Sequence, residues 1–262
     1  MKFQLSKTEA FTKAVLLISM ALTLIAMSPG FVAAQEDNWQ FDLALYFWYS
    51  SVSSDLVSGN EIDVEADTLI DSVSSAFMGT VGVRKNRWSF LIDAIYVNLD
   101  DDNNVIVGSK AGLSVPAYLD VDLTSWIVTP VAGYRVVEDA DFKLDILGGA
   151  RYLNLEADIN LNSSSQAPPI ETSVSESVGF WDGIVGLRGE VALPAHLFIP
   201  FYLDIGTGES DLTWQAFGGI GYRFKKVDLV VAYRYLSWEL KDNPIFDDYS
   251  MHGPLAGIRF RF

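Results

Sequence analysis

Hydrophobic and polar side chains alternate with a period of two from Trp39 to Ser50. Trp39, Phe41, Leu43, Leu45, Phe47 and Tyr49 alternate with Gln40, Asp42, Ala44, Tyr46, Trp48 and Ser50. Successive side chains of a β-strand point to opposite faces, so this pattern predicts a strand. Similar segments recur to the end of the chain, and none after residue 34 has the roughly 18 consecutive apolar residues of a membrane helix. The sequence therefore predicts an all-β protein.

The alternating segments predict about ten strands, near 39–52, 75–85, 87–99, 119–136, 141–155, 177–191, 197–206, 211–224, 227–240 and 249–262. Short connections at 85–86, 138–140, 193–196 and 225–226 alternate with longer polar ones at 53–74, 100–117, 156–176 and 241–248. The connection at 206–210 is short although it falls on the long side. Short turns at one end and long loops at the other are typical of bacterial outer-membrane barrels, with the short turns periplasmic. We therefore predict a transmembrane, antiparallel, up-and-down β-barrel.

A repeated triplet, consisting of a small residue, an apolar residue and arginine, orients the strands. It occurs at Gly82-Val83-Arg84, Gly133-Tyr134-Arg135, Gly149-Ala150-Arg151, Gly186-Leu187-Arg188, Gly221-Tyr222-Arg223, Ala232-Tyr233-Arg234 and Gly257-Ile258-Arg259. The small residue and the arginine share one face of the strand, and the middle residue lies on the other. We predict that the arginines face the lumen.

With the arginines inside, the large aromatic side chains of the outward face fall into two levels. Trp39, Trp88, Tyr134, Phe142, Tyr222 and Phe260 lie toward the short turns, and Tyr49, Tyr96, Trp126, Tyr152, Trp181, Trp214 and Tyr235 toward the long loops. Two aromatic belts around an aliphatic band suit a barrel that crosses a bilayer. The alternative is a soluble periplasmic barrel or sandwich that buries the aromatic face, since alternation alone does not say which face meets water.

Acidic residues share the inward faces with the arginines, at Asp42, Asp93, Asp145, Asp182 and Asp204. A ten-stranded barrel is only slightly wider than an eight-stranded one, whose interior side chains nearly fill it. We therefore predict a paired polar network in the lumen, strongest in the periplasmic half. The alternative interpretation of the same residues is a narrow, charge-lined pore.

The N-terminus has the features of a secretory signal peptide. Three lysines precede an apolar run over 14–27, which small residues up to Ala34 follow. We predict a signal peptide over 1–34, export by a Sec-type route from a Gram-negative cytoplasm, and a mature barrel over 35–262. An uncleaved anchor helix is the alternative.

The amino-acid composition of the chain argues against several kinds of site and partner. The chain has no cysteine, which excludes disulfides, thiolate metal sites and a lipid-modified N-terminal cysteine. Without residues 1–34, 15 basic and 33 acidic side chains remain, a net formal charge of −18. This charge argues against nucleic acid as a partner, because phosphate binding needs a basic surface. No cofactor motif is present, since Gly218-Gly219-Ile220-Gly221 lies within a strand, where small residues make room for their neighbours.

Acidic clusters occur in the expected surface loops, at Glu61, Asp63, Glu65 and Asp67 and over 100–104. Oxygen-rich loops suit either solvation beside lipopolysaccharide or weak binding of Ca²⁺ or Mg²⁺, but they lack calcium-loop spacing. We predict no specific metal site. A short helix over 67–73, with Asp67 as its N-cap, is a further expectation.

The two histidines give weak signals for an enzyme. His196 falls in a predicted periplasmic turn, whereas His252 lies near the outer end of the last strand. Ser250 and His252 could form a nucleophile and its base. Strand parity places both on the outward face, unless a bulge near Gly253 and Pro254 changes it. The sequence favours an interfacial histidine over a catalytic one.

The chain ends in Gly257-Ile258-Arg259-Phe260-Arg261-Phe262. This ending resembles the C-terminal assembly signal of outer-membrane proteins, carried here by Gly257, Phe260 and Phe262. The resemblance implies handling by the barrel-assembly machinery and contact with outer-membrane lipid and lipopolysaccharide.

Over 35–262 the chain looks like the small outer-membrane barrels of the OmpA and OmpW types. It is most similar to a proteobacterial group of unassigned function, with which it shares Arg84–Trp88, Trp181–Gly189 and Ser210–Phe224. The likeness implies a fold and a location but no catalytic or binding residue. An envelope-structural barrel or narrow small-solute channel, a surface-recognition barrel, and a lipid-modifying or proteolytic enzyme all remain open. The sequence does not indicate an oligomeric state.

Overall fold

A computed structural model describes residues 39–55, 61–64, 73–108, 114–163, 171–240 and 248–262. The predicted signal peptide over 1–34 lies outside these residues. The described part of the chain forms the strands β1 (Trp39–Trp48), β2 (Ser51–Asp55), β3 (Glu61–Val64), β4 (Val73–Lys85), β5 (Trp88–Gly108), β6 (Ser114–Glu138), β7 (Phe142–Ser163), β8 (Glu171–Ala192), β9 (Leu197–Gly208), β10 (Leu212–Arg223), β11 (Val227–Glu239) and β12 (Asp248–Arg261).

The strands form one closed antiparallel sheet. Each strand from β4 to β12 pairs with the next along the chain, and β1 pairs with both β4 and β12. Both β1 and β2 pair with β12 in a single register, so they act as one barrel strand. Their ladder is interrupted opposite Gly253 and Pro254, where proline has no N–H to donate. The result is a ten-stranded barrel to which β3 adds one strand through β2, and the predicted fold class is confirmed.

The short connections lie where the alternation predicts them. β4 and β5 are joined by Asn86 and Arg87, and the turns over 139–141, 193–196 and 224–226 follow at the same end. Asn86, Ala195 and His196 have positive φ angles of 55°, 59° and 63°, the left-handed conformation that reverses a chain within a few residues. The connection over 209–211 is equally short and lies at the opposite end.

Three of the predicted long loops are wrong in extent. In the loop predicted over 53–74, β2 continues to Asp55 and pairs with β3. β5 continues to Gly108 and β6 starts at Ser114, so most of the predicted loop over 100–117 is a paired hairpin. Similarly, β7 and β8 stay paired as far as Asn162 and Glu171. The polar side chains of these segments predict loops. Cross-strand pairing nevertheless satisfies their backbone N–H and C=O groups, so strands form whatever the side chains are. Of the predicted helix over 67–73, only Val73 is described, and it begins β4.

The outward face of the barrel is apolar, as the triplets predict. Val185 and Val231 expose 63% and 60% of their surface, and the middle residues Leu187, Tyr222, Tyr233 and Ile258 are also exposed. Aromatic rings meet on neighbouring strands at both levels, with ring centroids 5.0 Å apart for Trp88 and Tyr134 and 4.6 Å apart for Trp214 and Tyr235. Among the described residues, no helix is long and apolar enough to span a membrane.

Candidate functional site

The lumen contains three layers of side chains, and the layer nearest the short turns is built on Asp145. This aspartate lies on β7 and is 2% exposed. Its carboxylate accepts hydrogen bonds from Arg84, from Arg135 at 2.7 Å and from Arg188 at 3.0 Å. The donors belong to β4, β6 and β8, so one buried carboxylate ties together four strands. Charge-assisted bonds of this kind are stronger than neutral ones.

A second group in the same layer is built on Asp228 of β11 and Glu190 of β8. Arg259 donates to Asp228 at 3.0 Å and to Glu190 at 3.3 Å. Arg223 forms an ion pair with Glu190 at 2.6 Å, and Arg261 forms one with Asp228 at 3.0 Å. Because β8 and β12 lie far apart around the barrel, the bond between Arg259 and Glu190 crosses the lumen.

The middle layer is a continuous chain of hydrogen bonds across the lumen. Arg234 of β11 donates to Asp93 of β5 at 2.9 Å, to the hydroxyl of Tyr46 at 3.0 Å and to Gln215 at 2.7 Å. Arg151 donates to the same oxygen of Gln215 at 3.5 Å, and also to Asp204. The chain therefore runs from Asp204 on β9 to Asp93 on β5.

Toward the long loops, the inward side chains become apolar. The buried residues Trp48, Met78, Ile95, Ile127, Leu153, Ala232, Leu236, Trp238, Met251 and Leu255 form one cluster. Trp238 and Leu236 are fully buried. The guanidinium of Arg234 lies 5.0 Å from the ring centre of Trp48, and that of Arg151 lies 5.8 Å from Trp238. Cation–π contacts thus join the middle layer to the apolar cluster.

Below the middle layer, a cavity of about 580 Å³ fills the short-turn half of the lumen. Its lining includes Gln40 and Phe262 near the short turns and reaches Asp93 and Arg234 at mid-height. Its walls combine charged side chains with aromatic and aliphatic ones. The lumen therefore contains a cavity toward the short turns and a buried apolar cluster toward the long loops.

The predicted lumen residues do not all end in one network. All seven triplet arginines and Asp93, Asp145 and Asp204 form side-chain hydrogen bonds or ion pairs in the lumen. Asp182 is buried but accepts its hydrogen bond from the backbone N–H of Ser210, so it stabilises the 209–211 turn. Asp42 is half-buried and lines the cavity.

Sequence reasoning missed Glu190, Asp228, Gln215 and Tyr46 as members of these networks. It also missed the apolar cluster. The signal was available in the alternation, because each of these residues shares its parity with a lumen residue on its own strand. Asp228 is an even number of residues from Arg234, and Trp48 from Asp42. The prediction treats every inward position as polar, although a lumen packed with side chains can hold polar or apolar residues.

The other candidate residues are placed as follows. The pairing of β12 with β11 runs without a shift past Gly253 and Pro254, so Ser250 and His252 share a face. Ser250 Oγ donates to the backbone oxygen of Ser53 at 3.4 Å, and the imidazole of His252 stacks on Tyr235 with centroids 5.6 Å apart. His196 lies in the 193–196 turn.

The acidic clusters over 61–67 and 100–104 lie outside the residues whose side chains the structure describes. Among the side chains that are described, no group of three His, Asp or Glu residues is arranged to hold a metal ion.

The C-terminal residues close the barrel. The N–H of Phe262 donates to the backbone oxygen of Phe41 at 2.9 Å, and the N–H of Phe41 donates back to Phe262 at 3.2 Å. Gly257 packs closely on Tyr46, since an added Cβ would lie 2.8 Å from the Tyr46 Cβ. The role of Gly257, Phe260 and Phe262 as an assembly signal stays a prediction.

No protein-family model matches the chain, and no curated protein is similar to it in sequence. Among solved structures, it is similar to the translocator domain of the autotransporter NalP from Neisseria meningitidis, with 16% identity, a TM-score of 0.43, and coverage of 96% of this chain and 98% of that chain. It is also similar to Ail, the attachment invasion locus protein of Yersinia pestis, with 13% identity, a TM-score of 0.38, and coverage of 87% and 100%.

A third similar structure is the toluene transporter TbuX of Ralstonia pickettii, with 10% identity, a TM-score of 0.34, and coverage of 87% and 90%. The three names describe different roles, and the likeness does not extend beyond the barrel fold.

Proposed function

We propose that the chain is an integral outer-membrane β-barrel with a closed lumen, and that its role in the envelope is structural and not enzymatic. The outward face supports the membrane location. Large apolar side chains cover it between two levels of aromatic rings, which suits acyl chains between two water interfaces. A soluble barrel with this orientation would expose the same rings to water while keeping its arginines inside.

The observation that carries the proposal is the hydrogen-bonded chain of the middle layer. Asp204, Arg151, Gln215, Arg234 and Asp93 connect nearly opposite walls of the barrel through side-chain contacts of 3.5 Å or less. Opposite charges at such distances neutralise one another, which a ring that selects ions by charge does not do. The buried apolar cluster lies above them and adds a layer without charged side chains.

A narrow channel for small solutes is the competing function, and conductance separates the two. The folded protein is inserted into planar lipid bilayers, and current is recorded over a range of voltages in concentrated salt. We expect no discrete conductance steps from the native chain. Regular conductance steps, in a number that matches the amount of inserted protein, would overturn the closed-lumen proposal. Insertion itself is checked by protease protection in vesicles made from the same lipids.

A further inference from the structure

We infer that the cavity in the short-turn half of the lumen is a binding site for a small organic anion, a carboxylate or phosphate attached to an apolar body. The inference goes beyond the structural role proposed above. It concerns the hollow below the middle layer, and a barrel that conducts nothing can still bind a ligand there. Three properties of the cavity support it, namely its charge, a buried donor and its apolar wall.

The first property is an excess of positive charge. The side chains lining the cavity include eight basic ones, Arg84, Arg135, Lys143, Arg188, Arg223, Arg234, Arg259 and Arg261, and four acidic ones, Asp42, Asp93, Asp145 and Glu190. Counting the buried Asp228, which forms ion pairs with Arg259 and Arg261, still leaves an excess of positive charge. The chain as a whole has a formal charge of −16, so this basic lining runs against its overall balance.

The excess arises because carboxylates are shared. Asp145 serves three guanidinium groups, from Arg84, Arg135 and Arg188. Arg135 has a second partner in Glu138, but that carboxylate is about half exposed to solvent and contributes little. Guanidinium groups grouped in this way within a low-dielectric wall attract an anion more strongly than they would in water.

The second property is a buried donor that no described residue satisfies. Arg84 is 9% exposed and lines the cavity, and one of its terminal nitrogens, Nη2, donates to Asp145. The other, Nη1, is buried and has no hydrogen-bond partner among the described residues. A buried donor without an acceptor is costly, and an anionic oxygen in the cavity would satisfy it once the Arg84 side chain rotates to bring Nη1 to the cavity surface. Arg188 is 28% exposed at its side chain, so it can also reach a ligand in the cavity.

The third property is the apolar part of the wall. Leu91, Phe198, Tyr202 and Phe217 line the same cavity. Arg223 and Arg259 both lie beside the ring of Phe198, with guanidinium carbons 4.6 Å and 5.4 Å from its centre. A site that combines charged groups with aromatic and aliphatic side chains suits an amphipathic ligand better than an inorganic ion. A volume of about 580 Å³ is enough for a small aromatic acid.

The test measures the binding of defined probes to the full barrel in lipid nanodiscs, where both ends of the lumen meet water. Benzoate and phenyl phosphate carry the proposed chemistry, benzamide keeps the ring without the charge, and inorganic phosphate keeps the charge without the ring. Titration calorimetry gives each affinity, and empty nanodiscs correct for partitioning into lipid. We expect at least one of the two aromatic anions to bind at least about tenfold more tightly than benzamide and than inorganic phosphate.

The residues are tested with Arg84→Gln and Arg188→Gln, each of which keeps hydrogen-bonding groups but removes one charge. The matched control is Arg87→Gln in the exposed turn after β4. Either lumen variant should weaken anion binding at least about tenfold, and the control should not change it. Arg188→Gln keeps the test decisive if Arg84→Gln does not fold, because the Arg188 side chain is more exposed.

Four results would overturn the inference. Equal binding of benzamide would show an apolar pocket without anion selection, and equal binding of inorganic phosphate would remove the role of the aromatic wall. Unchanged affinity in folded lumen variants, or no binding of either aromatic anion to folded native protein, would place no anion site in the cavity. None of these results bears on conductance, so failure here is distinguishable from failure of the closed-lumen proposal.

Discussion

Arg234 and Asp93 are 141 residues apart in the sequence and are joined by a hydrogen bond of 2.9 Å across the barrel lumen. Their strands, β11 and β5, lie on nearly opposite walls, so the bond links two parts of the sheet that are not neighbours. Such a link limits the separation of the walls and places side chains across the barrel axis. Charged side chains that bond to one another in this way can therefore belong to the closed lumen proposed above.

Arg234→Ala tests how much this link stabilises the fold. The substitution leaves Asp93 without a cation and also removes hydrogen bonds to Tyr46 and Gln215. Breaking a buried pair on one side costs about 3–5 kcal/mol, so we expect a clearly lower midpoint of heat-induced unfolding. The shift between folded and unfolded bands on unboiled gels, followed against temperature, measures it. Arg87→Ala, which removes an exposed arginine, is the control. Equal midpoints for both variants would contradict a stabilising role for the link.

The arginines around Asp145 predict that removing the shared carboxylate destabilises the barrel more than removing one of its donors. Asp145→Ala leaves three guanidinium groups without their shared partner, whereas Arg188→Ala removes one donor of three. We expect Asp145→Ala to lower the unfolding midpoint more than Arg188→Ala does. We also expect Arg188→Ala to lower that midpoint without producing a large change in conductance. Melting on gels and bilayer recordings of the same preparations check both expectations. Unchanged melting together with a large conductance change in Arg188→Ala would instead favour a charge-lined pore.

The fold was largely predictable because alternation and turn position follow from local sequence. The triplet that ends in Arg84 predicts the inward face of β4, and the short turn at Asn86 marks its end. The partners of the arginines were not predictable in this way. Arg151 and Arg188 occur in similar triplets, but one is fully buried beside Asp204 while the other is partly exposed beside Asp145. The exposure and the partner of each arginine depend on its height in the barrel and on the stagger of the strands. Neither the height nor the stagger can be predicted from a single sequence.

The glycines of β10 predict a difference between the two faces of one strand. A Cβ added at Gly221 would lie 2.2 Å from the buried ring of Phe198, whereas one added at Gly218 would meet nothing within 4 Å. Gly221→Val should therefore overpack the lumen and destabilise the barrel by about 1–3 kcal/mol, and Gly218→Val should be tolerated. Urea unfolding in detergent micelles, followed by tryptophan fluorescence, gives both free energies. Similar losses in the two variants would contradict the packing explanation.

The outward face predicts how a charge affects insertion. Val185 lies near the middle of the membrane-facing part of β8 and is 63% exposed. Val185→Arg should disfavour folding into lipid vesicles by about 2–4 kcal/mol, because arginine is costly at the bilayer midplane. Val185→Leu keeps the side chain apolar and serves as the matched control. Folding yields are compared by gel shift after dilution from urea into vesicles. Equal yields for the two variants would indicate that this face does not contact acyl chains.

The two upper layers of the lumen predict that opening the barrel needs two changes. Trp238 is fully buried in the apolar cluster, and Arg234 lies in the chain of hydrogen bonds below it. Trp238→Ala alone should leave the polar chain in place and the barrel non-conducting, although losing a buried tryptophan costs about 3–5 kcal/mol of stability. Arg234→Ala alone should leave the apolar cluster in place. Only the double variant removes a barrier from each layer, so we expect conductance steps from it and silence from either single variant. Steps of the same size from Trp238→Ala alone would show that the polar chain does not close the lumen, and the apolar cluster would then be the only barrier.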